Sequence, residues 1–293
     1  MGIRIDPHEC LCKRHVFCGI SDRMHHRSVA YVLILIGMMP AVTCPSVYEA
    51  ERKGIAMGQR TALVTGASGG IGTAIVERLR RDGLRVITLD IAGEVDLTVD
   101  VVHDPLPAEI FDQVDVCVSN AAVVDTTAPA HGMAAEKWQR DIDVNLTGAF
   151  RVVQACLPGM RRRRYGRIVA VSSLAGQTGM AGKVAYAASK AGLQGAIKTV
   201  AIENVTYGIT ANCVLPGFVA TPAVKALPTK ARDRVMAAMP MGRFCEPAEV
   251  ADLIAFLGGD ASGYITGQEI AIDGGLGLNT FTLGGAGNGE DRR

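Results

Sequence analysis

The sequence predicts an α/β fold built on a parallel sheet. Short apolar runs alternate with longer helical stretches from residue 61 to residue 272, the pattern of strand–helix–strand units. A glycine-rich turn joins the first apolar run directly to the first amphipathic one. Glycine is abundant, at 34 of 293 residues, with no collagen-type period, as a fold with many tight turns and close backbone approaches requires.

Composition narrows the function. The chain is 48% hydrophobic and 20% charged, enough for one large domain or a domain with an appendage. A net charge of +1 leaves no general pull toward nucleic acid or an anionic membrane. Aromatics at 5% argue against a base-stacking surface. Cys117, Cys156, Cys213 and Cys245 lie far apart with no C-x-x-C pair, which fits reduced core thiols in a cytoplasmic enzyme.

Residues 1–56 differ in composition from the remainder of the chain. They hold four of the eight cysteines and four of the six histidines. Cys10, Cys12, His15 and Cys18 have a spacing that fits no common structural zinc pattern. Val29–Val42 is apolar but interrupted by Gly37 and Pro40, and it falls short of the ~20 residues a spanning helix needs. The expected organisation is an extension at 1–56 outside the fold, with Met57 as the natural start, a domain at 57–278 and a loose, Gly-rich tail at 279–293. A membrane tether through Val29–Val42 is the competing reading of the extension.

From Met57 the elements run in order. Thr61–Thr65 is a short strand, Gly66-Ala67-Ser68-Gly69-Gly70-Ile71-Gly72 a turn, and Thr73–Asp82 a helix closed by Gly83. Glycines here let the backbone approach a pyrophosphate, whose charge a helix N-terminus favours. Arg85–Leu89 is the second strand, and Asp90 ends it. A carboxylate there accepts both ribose hydroxyls of an adenosine and repels a 2′-phosphate, by about 4 kcal/mol for unit charges ~4 Å apart at an effective dielectric of ~20. Together with Gly69, where no basic side chain is available, Asp90 favours NAD over NADP.

A third strand is expected at Glu94–Leu97, with Asp96 and Leu97 at the adenine pocket and Asp100 as the competing choice. Asp115–Ser119 is a buried strand leading into Asn120-Ala121-Ala122, whose small residues allow a close pass against a cofactor ribose. Ala134–Met160 is a long helical stretch, loosened near Asn145 where a water can sit. The basic run Arg161–Arg164 suits a solvated helix C-terminus or, in a sharper reading, an acidic carrier protein. Gly166–Ser172 is a strand that delivers Ser172 and Ser173. Ile209–Leu215 is another, ending in Pro216-Gly217-Phe218-Val219. Thr221–Ala238 is a helical lid punctuated by Pro222 and Pro228; Pro247–Leu257 is a helix and Glu269–Ile272 the last strand.

The chemistry centres on Val184–Lys198, an Ala-rich helix without proline. Tyr186 and Lys190 are four residues apart and share a face one turn up. A free phenol has a pKa near ~10 and is a poor base at neutral pH. A neighbouring cation favours the phenolate, and a shift to ~7 corresponds to roughly 4 kcal/mol. Ser172 and Ser173 lie close upstream, where a hydroxyl can stabilise a developing alkoxide. His103 and His131 stand alone, and no cluster in the domain offers a metal site.

TGASGGIG, the Asn120-Ala121-Ala122 turn, Asn145, the serine pair, YAASK and PGFVAT occur in one order and spacing. Together they closely resemble the short-chain dehydrogenase/reductase family over Met57–Leu278. The resemblance implies a Rossmann-type doubly wound sheet of seven strands with helices on both faces, in one domain. It implies a catalytic group of Ser173, Tyr186, Lys190 and Asn145. Ser173 is selected over Ser172 because the family's serine lies 13 residues before its tyrosine. Tyr186 is then the acid/base, Lys190 lowers its pKa and holds the nicotinamide ribose, and Asn145 holds a relay water. Cofactor binding falls to Gly66, Ser68, Gly70, Ile71, Gly72, Asp90, Asp96, Leu97, Asn120, Ala121, Ala122, Pro216, Gly217, Val219 and Thr221, with Tyr186 and Lys190. Asp96-Leu97-Thr98 resembles the family's adenine-side D-x-T, and SNAA replaces the frequent NNAG, which leaves Ser119 without a role.

The expected function is oxidation of a secondary alcohol or reduction of a ketone, with NAD preferred. MGRFCEPAEVADLIAFL and YITGQEIAIDGG look most like 3-oxoacyl-(acyl-carrier-protein) reductases, so an NADPH-using reductase of that kind is the alternative. A non-catalytic dinucleotide-binding scaffold is a third reading. Leu174, Met180, Phe218 and Met241 are candidate liners of a pocket for an alcohol, ketone or acyl thioester. Family members are commonly tetramers, so a homo-oligomer is expected; no nucleic-acid partner is.

Overall fold

The computed structural model describes residues 59–278. The Cys10, Cys12, His15 and Cys18 group, the Val29–Val42 run and the tail beyond residue 278 lie outside the described residues. Seven strands form one sheet: β1 Thr61–Thr65, β2 Arg85–Asp90, β3 Leu97–Thr98, β4 Val116–Ser119, β5 Gly166–Val171, β6 Ile209–Pro216 and β7 Glu269–Ile272. All are parallel, in the order β3-β2-β1-β4-β5-β6-β7. The chain reverses direction across the sheet between β1 and β4, so a crevice opens at the carboxyl ends of those two strands.

The helices are α1 Gly70–Arg81, α2 Ala108–Phe111, α3 Ala135–Ile142, α4 Ala149–Arg163, α5 Ala175–Thr178, α6 Val184–Asn204, α7 Pro222–Lys225, α8 Thr229–Ala238 and α9 Pro247–Gly258. Successive strand residues point to opposite faces, and both faces are covered. Leu63, Cys117, Ile168 and Cys213 pack with Val153 and Cys156 of α4 and with Leu193 and Ile197 of α6. Their neighbours Ala62, Val116, Val169 and Val214 pack with Ile75 and Leu79 of α1 and with Val250 and Ile254 of α9. The central strands are therefore apolar on both faces, which is why they lack a clean alternation in the sequence.

Several boundaries differ from expectation. The first helix starts at Gly70, inside the glycine turn, because glycines cap it with backbone alone. The third strand is only Leu97–Thr98, paired with Leu89 and Asp90. The Ala134–Met160 stretch divides at a π-helical turn, Asp143–Gly148, centred on Asn145, and then runs on to Arg163. The expected lid is two helices, α7 and α8, with Pro222 in the first turn of α7 and Pro228 capping α8.

The basic run closes α4 and ties it to its neighbours. The Arg161 guanidinium lies 4.0 Å from the centroid of the Tyr207 ring. Arg162 pairs with Asp112, and Arg163 with Asp115 at 2.9 Å. Arg164 takes the left-handed conformation that ends the helix and donates to the Thr206 carbonyl at 2.7 Å. Each of the four thus has an internal partner, and the carrier-protein role gains no support from this run.

Candidate active site

The crevice is built first by glycine. Gly66 has φ +64°, and a Cβ on it would fall 2.8 Å from the Cα of Ala121. A Cβ on Gly72 would fall 2.0 Å from the Gly66 carbonyl oxygen, so only hydrogen allows α1 to rise this close to β1. No side chain caps α1, leaving its first-turn N–H groups, including those of Gly70 and Ile71, open to an anion. Gly70 also faces Pro222 and Thr221, at 3.0 and 3.3 Å from where a Cβ would stand. The start of the lid thus packs on the turn. A dinucleotide pyrophosphate fits this cradle.

The exit of β4 is fastened to the same turn. The Thr65 hydroxyl accepts from the backbone N–H of Asn120 and of Ala121, each at 3.0 Å. The Asn120 amide donates to the carbonyls of Thr65 at 3.0 Å and Gly66 at 3.1 Å. Asn120 therefore acts through its side chain as a clamp, while Ala121 supplies the close backbone pass. Thr65 was not anticipated: a buried threonine ending an apolar strand looks like a core residue in sequence.

On the adenosine side, Asp90 accepts from the Ser68 backbone N–H at 3.0 Å and from the Ser68 hydroxyl. Its other oxygen accepts from the Ile91 N–H at 2.7 Å. The carboxylate therefore stands at the end of β2 against the glycine turn.

Asp96 and Leu97 correct the reading of the third strand. Asp96 precedes β3 and lies level with Thr88, two residues before the carboxyl end of β2. Its carboxylate accepts the Thr88 N–H at 2.9 Å and hydroxyl at 2.7 Å, which hold it below the usual carboxylate range. It lines a cavity of about 480 Å³ between α1 and the β2–β3 connection, with Ala67 and Ser68 of the glycine turn and with Thr73, Glu77 and Arg80. Leu97 lies within β3 and packs against the core. Asp100 and Val101 come after the carboxyl end of β3; Val101 is buried and Asp100 accepts the Val102 N–H at 2.8 Å.

The four catalytic candidates converge. Ser172 and Ser173 leave the end of β5, beneath α6. The Ser172 hydroxyl donates to the Lys190 carbonyl at 3.1 Å and accepts from Gln194 at 2.9 Å, so it is a buried brace. The Ser173 hydroxyl accepts the Ala175 N–H at 3.2 Å, and Ser173 works against the rise in the Tyr186 pKa. Asn145 is fully buried. Its amide oxygen accepts the Val123 N–H at 2.7 Å, and its nitrogen donates to the Val123 carbonyl at 3.0 Å and to Ser189 at 3.3 Å. Ser189 in turn donates to the Tyr186 carbonyl at 2.7 Å. The π turn thus places Asn145 as a bridge between the β4 exit and the tyrosine helix.

One electrostatic expectation is corrected. Burial pushes the Tyr186 phenol up, opposed by the nearby Ser173 side chain, and Lys190 does not offset it in this structure. The Lys190 ammonium is 5.8 Å from the Tyr186 ring centroid and donates to the Val171 carbonyl at 2.7 Å. Burial drops its own pKa to about 8.

The Pro216–Thr221 segment crosses the carboxyl end of β6. The Pro216 carbonyl accepts from Leu174 at 3.2 Å, and Val219 pairs with Cys245. The Gly217 N–H donates to Ile272 at 3.1 Å, and its Cα lies so near Asp273 that a Cβ would stand 3.0 Å from that Cα. Leu174 is buried, whereas Met180 and Met241 are exposed. Among the described residues, no three His, Cys, Asp or Glu side chains meet at metal-binding distance, and no helix is long and apolar enough to cross a membrane.

A dinucleotide cradle beside a Ser–Tyr–Lys–Asn group defines an oxidoreductase of the nicotinamide class. The chain belongs to the short-chain dehydrogenase/reductase family. A family model described as enoyl-(acyl carrier protein) reductase matches residues 98–277. The 3-oxoacyl-(acyl-carrier-protein) reductase of Thermotoga maritima is 40% identical over 240 residues, covering 74% of this chain and 97% of that one. A (3R)-3-hydroxyacyl-CoA dehydrogenase of Rattus norvegicus is 37% identical over 247 residues, covering 73% and 95%. The crystal structure of a short-chain oxidoreductase from Burkholderia thailandensis superposes with a TM-score of 0.67 at 36% identity, covering 75% and 93%. The protein is therefore an NAD(P)-dependent enzyme that interconverts CH–OH and ketone groups.

Proposed function

We propose that the enzyme prefers NAD and acts on a 3-hydroxyacyl or 3-oxoacyl thioester or a related secondary alcohol. The observation that carries the cofactor preference is the Asp90 carboxylate bonded to Ser68 at the end of β2, with no basic side chain in the glycine turn. Both oxygens remain acceptors toward ribose hydroxyls, and their charge opposes a 2′-phosphate. Two similar proteins that carry acyl-thioester names support the substrate class.

In this reading Gly66, Ser68, Gly70, Ile71 and Gly72 receive the pyrophosphate, and Asp100 with Val101 takes the adenine edge. Asn120, Ala121 and Ala122 approach the ribose, while Pro216, Gly217, Val219 and Thr221 orient the carboxamide. The bound nicotinamide supplies or accepts the hydride. Tyr186 takes the hydroxyl proton of the alcohol in oxidation and returns it in reduction. Ser173 donates a hydrogen bond to the oxygen as its charge develops. Lys190 places a cation below Tyr186, and Asn145 holds the tyrosine helix against the β4 exit. The enzyme works in the cytoplasm as a homo-oligomer; Phe150 on α4 and Ile202 on α6 are exposed apolar side chains available for such contacts.

Steady-state kinetics with NAD and NADP, using 3-hydroxybutyryl-CoA as the alcohol, test the proposal. A kcat/KM ratio of at least ~10 in favour of NAD is expected, about 1.4 kcal/mol of discrimination. A ratio reversed toward NADP defeats the Asp90 reading and leaves an NADPH-dependent reductase.

A further inference from the structure

Asp141 is a buried carboxylate that the proposed mechanism does not use. It belongs to α3, is fully buried, and lies one turn before Asn145 on the same helical face. One carboxylate oxygen accepts from the Thr126 hydroxyl at 2.7 Å. The other has no hydrogen-bond partner. Burying an unpartnered carboxylate oxygen is unfavourable, so a structure that keeps one there requires a reason.

The surroundings supply one. The Thr126 carbonyl accepts from the Lys183 ammonium at 2.8 Å. That ammonium also donates to the Val124 carbonyl at 2.7 Å and to the Thr127 hydroxyl at 2.8 Å. All three ammonium hydrogens are therefore engaged by one short segment that leaves β4. The same segment is pinned again where the Ala128 N–H donates to Gly182 at 3.0 Å. Lys183 is the residue that opens α6, and Tyr186 lies three positions beyond it. Asp141 and the start of the tyrosine helix thus clasp residues 124–128 from two sides.

The charged and titratable groups around this clasp are few. On α3, Arg140 is turned outward to Asp125 at 3.1 Å. On α6, Lys183, Tyr186 and Lys190 face inward, and Ser173 approaches from the end of β5. Burial lowers the Lys183 pKa, against the charges of Asp141 and Asp125. Burial raises that of Tyr186, and Asp141 adds to the rise.

We propose that Asp141 is a positioning residue for the reaction: through Thr126 and Lys183 it seats the first turn of α6, and its buried charge sets the pH window in which Tyr186 exchanges its proton. This inference rests on the assignment of Tyr186 as the acid/base.

The test uses Asp141→Asn, which keeps the volume and an acceptor for Thr126 but removes the charge. Tyr186 ionisation is tracked by phenolate absorbance, as the difference from the matching Tyr186→Phe protein. The pH profile of kcat/KM for 3-hydroxybutyryl-CoA oxidation is measured in parallel. Both are expected to move to lower pH by about half a unit or more, with Asp141→Glu restoring much of the original profile. Asp141→Ser also removes the charge while leaving a hydroxyl acceptor for Thr126, and serves if Asp141→Asn does not fold; it is expected to move the profile the same way. A folded variant whose phenolate titration and pH profile both stay in place overturns the proposal. If Tyr186→Phe keeps full turnover, the acid/base assignment fails instead, while the absorbance titration still reports what Asp141 does to the phenol.

Discussion

The Asp90 carboxylate and the Ser68 amide are hydrogen-bonded at 3.0 Å, joining the end of the second strand to the glycine turn 22 residues earlier. In the proposed reading, that contact holds a carboxylate where a 2′-phosphate would have to sit. Replacing Asp90 with Ser and Gly69 with Arg is expected to remove the repulsion and supply a cation. The NAD-to-NADP ratio of kcat/KM should fall by roughly 30-fold or more, about 2 kcal/mol. An unchanged ratio places the discrimination elsewhere.

Tyr186→Phe retains the ring packing and deletes the proton. Turnover is expected to drop by ~10²–10⁴, the usual range for loss of a general acid or base, while the dissociation constant for NAD changes little. Cofactor fluorescence quenching and steady-state rates on the same sample separate the two. Residual turnover near the original level refutes the assignment.

Two glycines of the described fold make opposite predictions. A Cβ at Gly72 would meet the Gly66 carbonyl at 2.0 Å, so Gly72→Ala must push α1 off the turn. A loss of about 2–4 kcal/mol and a large loss of cofactor affinity are expected. Gly195 lies within α6 with nothing within 4 Å of where its Cβ would stand. Gly195→Ala should stabilise by about 0.5–1 kcal/mol, through helix propensity and the unfolded chain. Urea midpoints decide both.

Lys190 gives stability a pH dependence with a definite sign. Its pKa is about 8 in the fold against 10.5 for the free side chain. Below pH 8 both states are protonated, and the folded one carries the full penalty of a buried charge. Between about 8 and 10.5 the unfolded chain holds more protons, so stability rises with pH. Relative to Lys190→Met, the wild-type protein should gain up to about 3 kcal/mol across that window. Denaturant titrations at matched pH values measure the gap, and parallel curves for the two proteins contradict the prediction.

The site was legible in the sequence wherever chemistry and spacing coincide. Tyr186 and Lys190 fall on one face by helical periodicity, and Ser173 lies at a strand end. The glycine turn declares itself because no other residue permits the approach at Gly72. The direction of the Tyr186 shift was not legible: spacing says that a lysine is near, but only packing shows that its ammonium serves the Val171 carbonyl. The choice between Asp96 and Asp100 was not legible for a related reason. With β3 only two residues long, a shift of a few positions decides which aspartate comes after the strand, and the pairing of Leu97 with Leu89 puts Asp100 there.

By itself, the order of residues determined the alternation of strands and helices, the glycine turn and the candidate reactive hydroxyls, because these depend on local periodicity and on groups with few chemical substitutes. The tertiary structure alone decided which polar side chains became braces. Thr65, Ser172, Gln194, Asn145 and Asp141 are ordinary residues in one dimension, and each acquires its role from a partner at least 15 positions away. Burial makes those partnerships count: removed from water, a donor or acceptor must be met by the fold, and only the packed chain shows what meets it.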